Sequence, residues 1–131
     1  MKKVFVDTNY FLRFLIRGDE EQFQTVSKLL KDGLSGKVVL VTDEVVIFEI
    51  YWVLKSFYKI EKEECVRLLI KILELSFIEI EKRSELLVAL STFSKENIEL
   101  EDGYHLACSV GKKCDELATF DEKMRKVWHS T

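Results

Sequence analysis

The feature that most limits the folds open to this chain is an alternation. Four short apolar runs, Val4-Phe5-Val6, Lys37-Val38-Val39-Leu40-Val41, Phe77-Ile78-Glu79-Ile80 and Glu116-Leu117-Ala118-Thr119-Phe120, are separated by long stretches whose apolar residues recur at helical spacing. Short runs rich in β-branched and aromatic residues read as strands, and near-continuous apolarity reads as burial on both faces of a parallel sheet. No hairpin signal joins one run to the next, so successive strands must be linked by helical crossovers. The expected fold class is α/β with a central, mainly parallel sheet. Right-handed crossovers then gather the strand ends on one edge, the edge where such sheets bind ligands.

The intervening stretches divide into helices. Tyr10 to Arg17 is expected to form a short helix stopped by Gly18, and Glu20 to Leu34 an amphipathic one closed by Gly33 and Gly36. Thr42 is expected to cap a helix from Val45 to Tyr58, with Asp43 and Glu44 in its first turn suiting the helix dipole. Further helices are expected over Glu63–Leu75, Glu85–Lys95 (capped by Ser84), 101–113 and Asp121–Trp128. The Val45–Tyr58 helix is apolar almost all round, which predicts a buried helix.

Length and charge bound the rest. A chain of 131 residues suits one domain spanning 1–131. The net charge of −3 argues against binding nucleic acid by bulk positive charge. It leaves room for a nuclease whose acidic site supplies part of the deficit. Cys65, Cys108 and Cys114 form no C-x-x-C spacing and are odd in number, as expected for reduced core thiols of a cytoplasmic protein. No apolar run approaches a membrane span, and no signal peptide is expected.

Four acids stand where a site could use them. Asp7 ends the first strand, and Asp121, preceded by Thr119, follows the fourth. Asp102 lies in the first turn of a helix, and Glu49 sits inside the most apolar helix. Asp7 and Asp121 could equally cap the helices that follow them, and Asp102 with Glu101 could serve the helix dipole. Glu49 is the harder case, because a buried, unpaired carboxylate is strongly disfavoured. Lys55 lies six residues on, on the wrong side of the helix to pair with it. A metal answers the charge better. An oxygen-only donor set favours Mg²⁺ or Mn²⁺ over zinc, and the matching chemistry is metal-assisted phosphodiester hydrolysis.

The segments Val4-Phe5-Val6-Asp7-Thr8-Asn9, Val46-Ile47-Phe48-Glu49-Ile50-Tyr51-Trp52-Val53-Leu54, Glu101-Asp102-Gly103-Tyr104-His105-Leu106-Ala107 and Ala118-Thr119-Phe120-Asp121 occur in this order along nearly the whole chain. In order and spacing they resemble the PIN domain, and more narrowly the VapC-type toxins of prokaryotic toxin–antitoxin pairs. The resemblance implies a three-layer α/β/α sandwich with four to five strands. It implies a Mg²⁺- or Mn²⁺-dependent endoribonuclease with Asp7, Asp102 and Asp121 as metal ligands and Glu49 completing the acidic pocket. It further implies Thr8, Asn9 and Thr119 as orienting groups, Glu99 as an outer acid, a homodimer, and an antitoxin partner.

Rival readings fit less well. A haloacid-dehalogenase-like phosphatase wants an Asp where this chain has Asn9, and a response-regulator receiver wants an Asp after the third strand, where Glu79-Ile80-Glu81 stands. A non-catalytic PIN scaffold binding RNA or a protein partner has no use for clustered like charges. His105 is expected to be structural and His129 solvated. Arg13, Arg17, Lys55, Lys112, Lys113, Lys123, Arg125 and Lys126 are candidate phosphate contacts. Trp52 and Phe57 fit core or dimer packing.

Overall fold

The computed structural model describes residues 1–131, which fall into two compact units, Met1–Glu81 and Lys82–Thr131. The first unit runs β1 (Lys3–Phe5), α1 (Thr8–Leu15), α2 (Glu20–Leu34), β2 (Val39–Thr42), α3 (Glu44–Ser56), α4 (Lys62–Leu73) and β3 (Ile78–Ile80). Its three strands form a wholly parallel sheet in the order β1-β2-β3. Val4 pairs with Leu40 and Leu40 with Ile78, so β2 is the central strand. Leu40 and Ile78 are fully buried. Pairing runs one residue past β1, where the Val6 N–H donates to the Val41 carbonyl at 2.8 Å. Beside it the Thr42 hydroxyl donates to the Val6 carbonyl at 2.9 Å. These two bonds fix the chain just before Asp7.

α1 packs on α2 and α3, and α3 on α4. Phe11, Leu12, Ile47, Ile50, Leu54 and Leu69 lie in this core, each with almost no exposed surface. Caps explain where the helices begin. Asp7, Asp19 and Asp43 precede α1, α2 and α3, and each accepts a first-turn backbone N–H. Asp43, rather than Thr42, therefore caps α3.

The second unit is helical: α5 (Arg83–Lys95), α6 (Leu100–Gly111) and α7 (Glu122–His129). α5 begins after Lys82, in a left-handed conformation (φ 62°), with no side-chain cap from Ser84. α5 and α6 pack closely because Gly103 has no side chain; a Cβ there would stand 2.9 Å from the Ala89 carbonyl oxygen. Ile98, Leu106 and Met124 form a small core joined by Leu117, Val127 and Trp128.

Three further expectations are corrected. The sheet has three strands, not four to five, because Glu116–Phe120 forms no ladder. The backbone there is held locally: the Arg125 guanidinium donates to the Thr119 carbonyl, and the Thr119 hydroxyl accepts the Asp121 N–H. Such local bonds compete with strand pairing. β1 is not buried on both faces either, since it is an edge strand and Phe5 is 55% exposed. α3 is not buried all round: Val45, Glu49 and Trp52, at helical spacing, form an exposed stripe, with Phe57 beyond it 74% exposed. Its apolar residues exceed what the core can cover.

Candidate active site

The start of α1 carries Asp7 and, through Thr8, reaches Glu49. β1 and its extension deliver Asp7 to the helix N-terminus. Its Oδ1 accepts the Asn9 N–H at 3.1 Å, the geometry of a helix cap. The next residue, Thr8, turns its hydroxyl toward α3 and donates to Glu49 Oε1 at 2.9 Å. One residue thus ties the neighbourhood of Asp7 to Glu49 across 41 residues of sequence. None of the ion pairs in the protein involves Asp7, Glu49, Asp102 or Asp121. Lys55 does not pair with Glu49, as its place on the helix implied, and lies instead over the Trp52 ring at 4.9 Å.

Glu49 does not fit the argument first made for it. It is exposed, so desolvation does not demand a counter-ion. What sets it apart is the Thr8 hydroxyl that orients it. The acid that sequence reasoning passed over is Glu44. Assigned only to the helix dipole, it has an Oε2 that is buried without a hydrogen-bond partner. The signal was available: Glu44 follows the end of β2 much as Asp7 follows β1.

In the second unit, Asp121 caps α7 by accepting the Met124 N–H at 3.0 Å, and Thr119 fixes the Asp121 backbone. Asp102 is half-buried in the first turn of α6, beside Gly103. Glu99 is the residue before that helix and makes no side-chain cap bond. His105 and His129 are exposed. The plain capping roles of Asp7 and Asp121 are therefore real. Each cap uses one carboxylate oxygen, and the cap bonds leave Oδ2 of each uncommitted.

Neither unit by itself gathers three His, Cys, Asp or Glu side chains into a metal-holding group. The donor chemistry nevertheless suits a hard divalent cation. The candidate set is all carboxylate, none of it is neutralised by Lys or Arg, and Glu44 adds an orphaned buried oxygen.

A parallel α/β unit with an acid just past its first strand places that acid on the edge where such sheets bind ligands. Comparison with known families makes this specific. The family model of the PIN domain matches residues 4–129, so the chain belongs to the PIN domain family, whose members are generally nucleases. No curated protein and no solved structure matches the chain. No helix is long and apolar enough to cross a membrane.

Proposed function

We propose that this protein is a divalent-metal-dependent endoribonuclease of the VapC type, the toxin of a type II toxin–antitoxin pair. The observation that carries the reading is the Thr8–Glu49 hydrogen bond beside Asp7. It orients a carboxylate that no cation neutralises, at the edge where parallel sheets bind ligands. Membership of the PIN family supports nuclease chemistry.

In this reading Asp7, Asp102, Asp121 and Glu49 hold the metal. The Asp7 and Asp121 side chains are already turned by their caps, so an oxygen of each is presented without further loss of rotamer freedom. Thr8 keeps Glu49 from swinging away. A Mg²⁺ or Mn²⁺ held there would supply an acidified water and neutralise charge on the phosphodiester. Asp7, Glu49, Asp102 and Asp121, none of them in an ion pair, would repel substrate phosphate until a bound cation balanced their charge. An antitoxin in the same cytoplasm would silence the site by placing a basic side chain among these acids, and two copies of the chain would form a homodimer.

The test is cleavage of a labelled RNA with Mn²⁺ or Mg²⁺, comparing wild type with Asp7→Asn. The expected result is metal-dependent cutting by wild type that EDTA abolishes and that Asp7→Asn lowers by at least about a hundredfold. A wild type that binds RNA without cutting it under any divalent ion would support the non-catalytic scaffold instead.

A further inference from the structure

The cleft between α1 and α2 continues onto the open edge of β1, and apart from Asp7 the chemistry above assigns its lining no role. Its first part, about 380 Å³, lies between Asn9, Tyr10 and Arg13 of α1 and Gln22, Thr25 and Val26 of α2. Its second, about 630 Å³, shares Tyr10 and Thr25 with the first and extends to Lys2, Phe5 and Asp7. Both volumes are in the range of small-ligand sites. The two parts make one groove within the first unit, and Asp7 lies on it.

The side chains along it follow a pattern. Tyr10 is 40% exposed and Phe5 more so, leaving two aromatic side chains accessible along the groove. The cations are not equivalent. Lys28, on the groove, is paired with Asp32 at 3.3 Å, and Arg17, outside it, with Glu20 at 2.7 Å, so each already has a carboxylate partner. The Arg13 Nε donates to the Gln22 side-chain carbonyl at 2.6 Å. A neutral amide thus holds the guanidinium in place and leaves its full charge for an anion. Arg13 lines the first part of the groove and Lys2, which is in no ion pair, the second; Tyr10 lines both and Phe5 the second.

Accessible aromatics between spaced cations are what a single strand of nucleic acid requires, since its bases are unstacked and its phosphates regularly spaced. A duplex hides its base faces and offers nothing for Tyr10 or Phe5 to stack on. We infer that this groove seats single-stranded RNA, with Arg13, aimed by Gln22, on a backbone phosphate and Tyr10 stacked on a base next to the scissile position. The inference rests on the ribonuclease reading and adds the path of the strand to it.

The partner of Arg13 provides the sharpest test. Gln22→Glu would convert it into an ion pair like Arg17–Glu20. A purely structural Arg13 would tolerate or welcome that change, whereas a phosphate-binding Arg13 would be neutralised by it. Binding of a fluorescein-labelled twelve-nucleotide oligouridylate is measured by anisotropy in EDTA, with a hairpin of equal length as the paired control. Wild type should prefer the single strand. Arg13→Gln and Gln22→Glu should each weaken binding about tenfold and lower the salt slope by about 0.7, the share of one phosphate contact on a single strand. Tyr10→Leu should weaken binding by about tenfold with the salt slope kept, and Tyr10→Phe should restore it.

Equal affinity for the hairpin, wild-type binding by Gln22→Glu and Arg13→Gln, or no binding of the oligouridylate by wild type would each overturn the groove. Cleavage in Mn²⁺ separates the two ideas. A wild type that binds this strand but never cuts defeats the nuclease reading and leaves the groove standing. One that cuts, with KM unchanged in Arg13→Gln and Gln22→Glu, defeats the groove and leaves the nuclease.

Discussion

Thr42 is the one polar residue in the core, 1% exposed, and its hydroxyl reaches the Val6 carbonyl at 2.9 Å across 36 residues of sequence. Thr42→Val keeps the shape and removes the donor. The Val6 carbonyl, buried with its residue, is then left unpaired, which costs about 1–3 kcal/mol. The added methyl returns about 0.8 kcal/mol of apolar burial, so the net loss should be about 0.2–2.2 kcal/mol, centred near 1. Thr42→Ser makes the opposite trade, keeping the bond and losing a methyl worth about 0.8 kcal/mol. Urea unfolding followed by Trp fluorescence reads this directly. In a Trp128→Phe background the remaining Trp52 reports on the first unit alone. The expected result is a lower midpoint with unchanged slope for Thr42→Val, and a smaller shift for Thr42→Ser. A Thr42→Val protein as stable as wild type would show that the Val6 carbonyl does not depend on this hydroxyl. The anchoring of the chain before Asp7 would then need another explanation.

Thr8→Val removes the bond that orients Glu49; the Mn²⁺ concentration for half-maximal cleavage should rise about 10–100-fold while the melting temperature moves little. An unchanged metal requirement would dismiss Thr8 as an orienting group. The Arg17 guanidinium, hydrogen-bonded to Glu20, lowers that carboxyl to about 2. NMR should therefore show Glu20 titrating well below the ordinary glutamate value of about 4.3, and Arg17→Gln should bring it back toward that value. The stability this contact adds is complete above the ordinary value and disappears as pH falls toward 2. Burial pushes the Cys65 thiol up, and its Sγ donates to the Ile60 carbonyl. In the native protein iodoacetamide at pH 8 should label exposed Cys114 and leave Cys65 unmodified until urea unfolds it.

All seven helices were legible in the sequence to within two or three residues at most ends, because helix signals are local: apolar spacing, Asp caps, Gly stops. Three of four strands were legible for the same reason, but Glu116–Phe120 was not. A strand exists only by virtue of its partner, and nothing in Leu117-Ala118-Thr119 announces that Arg125 will claim the Thr119 carbonyl and the Asp121 N–H its hydroxyl. The exposure of Glu49 was hidden because a helix apolar all round reads as buried, whereas α3 turns one apolar face outward. Asp7 and Asp121 were legible as both cap and candidate ligand, and the geometry shows the cap directly. The link from Thr8 to Glu49 spans 41 residues and could not be read from either segment.

The caps on α1 and α7 also decide what a mutation at these sites can mean. Asparagine accepts the same backbone N–H as well as aspartate does. An amide at position 7 or 121 would therefore preserve the start of its helix and delete only a charge. Removing an acid from a metal site often confounds lost chemistry with a loosened fold. Here the two are separable by design, because the oxygen that holds the helix and the charge offered to a cation sit on the same side chain but answer to different substitutions. Alanine would remove both, and the difference between the alanine and asparagine variants would isolate the contribution of the cap.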